Sequence, residues 1–465
     1  MLICNAEVGP GTVADVRIDH QGIAQMAPRL APRPAEEIID AQACALLPGL
    51  HDHHVHLFSF AASLASVRCD GPAIRDAQTL AAALRGAART GSAVRAMAYH
   101  EALAGEIDRE WIDTHVSRDV PVRIQHRSGR LWVFNSAAIA QLSGLAIDPS
   151  AHAQNGLRSG RFYDAEAWLR THIPAVAPDI AAASRLLASH GVVGLSDATP
   201  HSGTSELARF TAARKQGDIL QDMVMMGSPD LGEPRMLEGI RIGATKIHLM
   251  DAHLPDSADL AGRVRRSHRM SRPVAIHCVT LGELSVALDA LRAAGVVAGD
   301  RIEHGSVIAD MFIDELRDMQ LTVAVQPHFV HERGDFYLQE VPPEEQPWLY
   351  RLRTLIDAGI PLLGSSDAPF GSANPWLAMQ AAVDRKTRSG QPLNTDEALS
   401  PEQAFDLFLG APPGRWASRR TLCVGDAAQL CLIDKPWAAA RQNLAGTRVR
   451  LTLRDGNAIW RDPAR

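Results

Sequence analysis

The feature that most constrains this chain is an alternation of eight apolar, strand-length runs with stretches rich in Ala, Leu and Arg. The runs lie at 46–56, 192–197, 221–226, 244–250, 274–278, 301–304, 322–326 and 361–365. Repeated strand–helix units point to a parallel sheet covered on both faces, and eight of them predict a (β/α)8 TIM-like barrel over 48–414. More than 130 residues separate the first two runs, far more than a loop in a compact domain spans. Residues 60–188 are therefore expected to form a large insert after the first barrel strand. Both chain ends read as short strands and turns: 13–18, 23–26, 36–40 and 43–47 at one end, 428–433, 448–453 and 458–460 at the other. These predict a composite N-/C-terminal β-sandwich domain built from 1–47 and 415–465.

Composition narrows the function. The 465 residues carry 46% apolar and 22% charged side chains, with 35 Gly and 28 Pro, which excludes a disordered or collagen-like chain. A net charge of −6, without a basic run, argues against a nucleic-acid partner. Six cysteines without a C-x-x-C pair indicate neither a disulfide framework nor a zinc knuckle and favour a reducing compartment. No signal-like N-terminal stretch and no 18-residue apolar run occurs, so the expectation is a cytoplasmic protein with a small-molecule substrate and no membrane partner. A homo-oligomer is expected, as for many chains of this size. The outlier is 19 histidines, several at the ends of apolar runs.

The run HDHHVHL at 51–57 ends the first barrel strand. Side chains two apart share a strand face, so His54 and His56 point together, with Asp52 on their side and His51 and His53 turned away. Two imidazoles so placed suit zinc, manganese, iron, nickel or cobalt. Four more candidates follow later strands: Lys246 in GATKIHLM, His277 in PVAIHC, His304 in DRIEHGS and Asp367 in LLGSSDAPF. Singly, each has an ordinary structural explanation, as a core histidine, a helix cap or an exposed lysine. Together they sit where barrel strands converge on one mouth, the place of active sites in this fold.

These residues resemble a family. Asp40-Ala41, then Leu47-Pro48-Gly49-Leu50-His51-Asp52 leading to His54-x-His56, with a lysine, two histidines and an aspartate on later strands, is similar to the metal-dependent amidohydrolase superfamily. VRIDHQGIAQMAP and CVGDAAQLCLID resemble its terminal strands, with Gln429 where that family has aspartate. VRIQHRSGRLWVFN, GVVGLSDA and VQPHF are similar to the amidohydrolase family 3 branch of formamide deformylase-like and YtcJ-like proteins. His126-Arg127-Ser128-Gly129 stands where those relatives often read Asp-Gly-His, which puts substrate contacts in question. The resemblance implies one or two divalent ions, zinc first, with manganese, iron or cobalt as alternatives. His54, His56 and Asp367 would hold the more buried ion, and His277 and His304 the more exposed one. Lys246 would bridge the two as a carbamate. A lysine that stays an ammonium would leave a single ion on His54, His56, His277 and Asp367, with His304 free to touch substrate.

The expected chemistry is hydrolysis of a carbon–nitrogen bond in a small amide, formamide, carbamate or urea-like molecule by metal-activated water. Asp367 would act as base and then as acid, and His304 is the second catalytic candidate. His328 and His126 are candidates to donate to the oxyanion or orient substrate, and His248, on the face of Lys246, is a further substrate-binding candidate. Alternatives are a metal-dependent deaminase, a hydrolase of an ester- or thioester-like bond, and a noncatalytic metal-binding relative.

Overall fold

The computed structural model describes every residue except 20–21, 72, 92, 143–150, 166–167, 170–171, 174–177, 410–420 and 464–465, together with all side chains of those it describes except 151–153. The chain forms two compact units, Met1–Leu57 with Ile180–Arg465, and Phe58–Asp179. Among the described residues no helix is long and apolar enough to cross a membrane.

The first unit opens with β1 (Leu2–Gly9), β2 (Thr12–Asp19), β3 (Gly22–Ala27) and β4 (Ile38–Asp40), in the sheet order β3-β2-β1-β4. The expected turn at 20–21 lies outside the described residues. The run 46–56, expected as one strand, is two: β5 (Leu46–Pro48) and β6 (Leu50–Val55), with His56 just beyond. The break has a local cause. Pro48 lacks an N–H for a continued ladder, and Gly49 sits where an added Cβ would lie 2.5 Å from a Val193 methyl.

The second unit holds β7 (Val67–Arg68), β8 (Val94–Tyr99), β9 (Val122–His126), β10 (Leu131–Phe134) and β11 (Arg161–Tyr163) in one sheet, ordered β11-β10-β9-β8-β7. Helix Ala77–Thr90 opens with an Asp76–Thr79 capping box and buries Leu80, Ala81 and Leu84. This unit stops at Asp179, short of the 60–188 expected for the insert. Helix Ile180–Ser189 belongs instead to the first unit, where Ser184 Oγ donates to Gln221 and the Ala188 carbonyl accepts from Thr452 Oγ1.

Back in the first unit, β12 (Val192–Asp197), β13 (Asp222–Gly227), β14 (Met236–Leu237), β15 (Ile240–Ile247), β16 (Val274–Cys278), β17 (Arg301–His304), β18 (Thr322–Val325) and β19 (Leu362–Gly364) follow. Seven of these strands run parallel with β6, in the order β6-β12-β13-β15-β16-β17-β18-β19, and β14 pairs antiparallel with β15. Past β19 the chain returns to β6, with Asp367 N donating to His54 O at 2.7 Å and His56 N to Ala368 O at 2.9 Å. The result is a nearly closed TIM-like barrel, and all six residues of β12 are buried, as expected for strands covered on both faces.

The last strands, β20 (Leu430–Ile433), β21 (Val449–Arg454) and β22 (Asn457–Arg461), pair with β5 in the order β22-β21-β20-β5. Ile3, Val16, Ile18 and Leu46 pack in one core with Leu430, Leu432, Leu451 and Leu453. Both chain ends thus share one apolar interior. The expected boundary at 414/415 lies outside the described residues.

Candidate metal centre

Every barrel-side residue in the candidate ligand set stands at the same end of the sheet. His54 lies next to the end of β6 and His56 just beyond it; Lys246 lies near the end of β15, His277 near the end of β16, His304 at the end of β17 and Asp367 just past β19. His54 Nε2 and His56 Nε2 face Asp367 Oδ1 at 3.5 and 3.2 Å. The His304 ring lies 4.9 Å from that of His54 and 4.4 Å from that of His277. The alternation argument also holds for the other side of β6. His51 Nε2 pairs with Ser196 Oγ at 2.9 Å, and His51 and His53 pack against each other away from the cluster. Asp52 does not join the ligands; its carboxylate accepts from Ser366 N, Ser366 Oγ and His54 N.

Hydrogen bonds fix which nitrogen of each imidazole is free. His54 Nδ1–H donates to Glu303 Oε2 at 2.5 Å, His56 Nδ1–H to Thr199 Oγ1 at 3.1 Å and His304 Nδ1–H to Gln326 Oε1 at 2.8 Å. Gln326 is itself oriented by its Nε2, which donates to Ser365 Oγ. All three rings then keep an Nε2 lone pair, the form in which imidazole binds a metal, with the opposite nitrogen held by a protein acceptor. Asp367 Oδ1 and Lys246 Nζ are buried with no hydrogen-bond partner among the described residues. A cation is what such a set of converging lone pairs and one orphaned carboxylate oxygen accommodates.

The electrostatics agree with that chemistry. Burial pushes the pKa of His54 down to about 4 and that of His304 down to about 3, and it holds His277 well below the ordinary range, so these imidazoles are neutral at neutral pH. Burial opposes ionisation of Asp367, but His56, His54 and His304 outweigh it and hold the carboxyl well below its usual value. Lys246 is brought down to about 8 by burial, with Glu303, 3.9 Å away, working in the opposite direction.

Glu303, Gln326 and Thr199 are not among the sequence candidates. Glu303 was hidden by strand alternation, which sends neighbours to opposite faces. His304 adopts φ 72°, a left-handed conformation uncommon for a residue with a side chain, and so joins Glu303 on the inner side. Asp367, at φ 49°, is bent in the same way. The available signal was a carboxylate in a short strand, next to His304 and two residues from Arg301, whose Nε donates to Glu303 Oε1 at 2.6 Å.

The remaining candidates are placed differently. His328 is buried at the start of helix His328–Glu340, and its Nε2–H donates to the Ser366 carbonyl at 3.0 Å. His248 is exposed, its ring 4.5 Å edge-on from His277. His126 lies in the second unit beside His100 and Glu101. There Nδ1 of His100 accepts from Ala102 N and Nδ1 of His126 from Ser128 N, which leaves the proton on Nε2 of each ring. His126 Nε2–H donates to Glu101 Oε2 at 3.0 Å, in the tautomer opposite to that of the barrel histidines.

Comparison with known proteins fits this geometry. The profile of the amidohydrolase family (Amidohydro_3) matches residues 37–459. YtcJ from Bacillus subtilis (strain 168) is 26% identical over 214 residues, 44% of this chain and 40% of that protein. N-substituted formamide deformylase from Arthrobacter pascens is 26% identical over 200 residues, 41% of this chain and 37% of that protein. The matched stretch spans about two fifths of each curated relative. An uncharacterized metal-dependent hydrolase from Pyrococcus horikoshii OT3 shares the fold, with a TM-score of 0.70 and 20% identity, over 88% of this chain and 91% of that one. With a family profile running through nearly all of its length, the chain belongs to the amidohydrolase family.

Proposed function

We propose that the chain is a metal-dependent hydrolase that cleaves a carbon–nitrogen bond in a small amide, formamide, carbamate or urea-like molecule. The observation that carries this reading is the set of imidazoles locked with Nε2 free around the orphaned Oδ1 of Asp367. His54, His56 and Asp367 would hold a divalent ion, with His277, His304 and Lys246 beside it to take a second. Such an ion supplies Lewis acidity, lowering the pKa of a bound water toward about 7 and polarising a carbonyl.

The chain's own residues do the rest. Asp367, ionised in its buried setting, takes a proton from the attacking water and returns it to the departing nitrogen. Glu303 keeps His54 in its ligand tautomer, and Gln326 does the same for His304, which would touch substrate where a single ion is held. Burial of Lys246 favours the neutral amine that a bridging carbamate requires. His328, through Ser366, positions the turn that carries Asp367.

The test is chelation and metal restoration on the purified full chain, followed by amine or ammonia release from a panel of formamides, amides, carbamates and ureas. Metal-dependent release that Asp367→Asn abolishes is the expected result. A metal-replete protein inert toward every class, or turnover indifferent to chelation, would overturn the reading.

A further inference from the structure

Beside the ligand cluster, where the chain leaves β12, β13 and β15 and meets helix Ser257–Arg269, lies a cavity of about 220 Å³. Its wall includes His201, Ser228, Lys246, His248, Arg263 and Arg266, and no Asp or Glu among the described residues. Asp230, which accepts from Ser228 Oγ, does not line it. Arg263 and Arg266 are three apart and therefore share a helix face. Neither makes a hydrogen bond or ion pair among the described residues. Arg263 is half-buried and Arg266 exposed; with no carboxylate on the same wall, their forked N–H groups match the oxygens of a carboxylate or phosphate. The cavity also borders the reacting centre, because the His248 ring on its wall is 4.5 Å from that of His277.

We propose that this cavity is the subsite for an oxyacid group of the substrate, a carboxylate or phosphate held by Arg263 and Arg266, so that the enzyme acts on a C–N bond of an anionic small molecule. The inference rests on the hydrolase reading above and names the substrate class for it. Lys246, one of the candidate ligands, and His248 both line the cavity, so the acid group and the scissile bond belong to one compact molecule. The guanidinium groups bind and orient; no bond is made or broken in the cavity.

The test uses pairs that differ in the acid group: N-formylphenylalanine against N-formylphenethylamine, and N-formyl-O-phosphoethanolamine against N-formylethanolamine. In the double variant Arg263→Gln/Arg266→Gln, KM for the acid member of the preferred pair should rise by about 10- to 100-fold, the worth of one or two charge-assisted hydrogen bonds. The neutral member should move by less than about twofold, because it lacks the bonded group. The pair that responds tells carboxylate from phosphate. Equal effects on acid and neutral members, or none, would overturn the subsite and leave the hydrolase reading standing. If none of these four formamides turns over, the hydrolase reading is left to its own panel, and binding decides the subsite: calorimetry with N-formylphenylalanine and N-formyl-O-phosphoethanolamine on Asp367→Asn protein, with and without the two arginine changes. Binding lost with the arginines supports the subsite; no binding of either acid, or binding indifferent to the arginines, overturns it.

Discussion

Glu303 is not counted among the ligands, yet it decides which nitrogen of His54 carries the proton. Burial alone would push its carboxyl up, but Arg301, Lys246 and His54 hold it well below the usual range, so it stays a full acceptor. Glu303→Gln should therefore lower metal affinity by about 10- to 100-fold while leaving the fold intact, read by competition with a chelator and by a melting curve. Unchanged affinity would mean that the His54 tautomer needs no such support. Asp367→Asn should reduce turnover by about 100-fold or more if this carboxylate moves the proton; an unaltered rate at neutral pH would remove it from the mechanism. Lys246→Ala should cost one of two ions if a carbamate bridges them, and retention of both with normal activity would contradict that bridge. At this scale alternation alone paired His54 with His56. It could not find Glu303, because the left-handed backbone at His304 breaks the rule on which the search relied.

At the scale of elements, hydrophobic runs located all eight barrel strands, since a strand buried on both faces leaves an unbroken apolar record. What they did not locate was the division of 46–56, where the same apolar run serves two sheets: β5 pairs antiparallel with β20, and β6 parallel with β12. Gly49 is the hinge between them, pressed against Val193. Gly49→Ala is predicted to destabilise the chain by about 1–3 kcal/mol through overpacking, measured as a lowered urea midpoint at constant slope. An unshifted midpoint would show that Val193 gives way freely. The end of the insert was misplaced for a related reason. The amphipathic pattern of 180–189 reveals a helix but not its partner, and that partner includes Gln221 and Thr452, residues distant in the chain.

For the molecule as a whole, the buried histidines link stability to pH. Burial takes His53 and His304 down to about 3 and His54 and His190 down to about 4, against about 6.5 for an unfolded chain. Between those values the unfolded state binds protons that the folded state refuses, so stability is present above about pH 6.5 and is lost as pH falls toward about 4. Asp52, raised to about 6 by burial, and Asp197 and Glu283, raised by the same cause, work in the opposite sense but are outnumbered by the histidines that burial holds down. Urea midpoints of metal-free protein should fall steeply between about pH 7 and about pH 5; a flat or rising series would contradict the burial of neutral imidazoles. The barrel's scaffold and the side chains that gather at one end of it were legible because each strand end is a local signal, whereas the partners that set tautomers are known only once the strands are side by side. The central claim is that residues scattered from 54 to 367 hold one catalytic ion at the barrel mouth. Anomalous diffraction at the absorption edges of zinc, manganese, iron and cobalt, on crystals grown with metal, tests it most directly. The account predicts a peak within bonding distance of His54 Nε2, His56 Nε2 and Asp367; density free of any such peak, or a peak bound elsewhere with these side chains untouched, would contradict it.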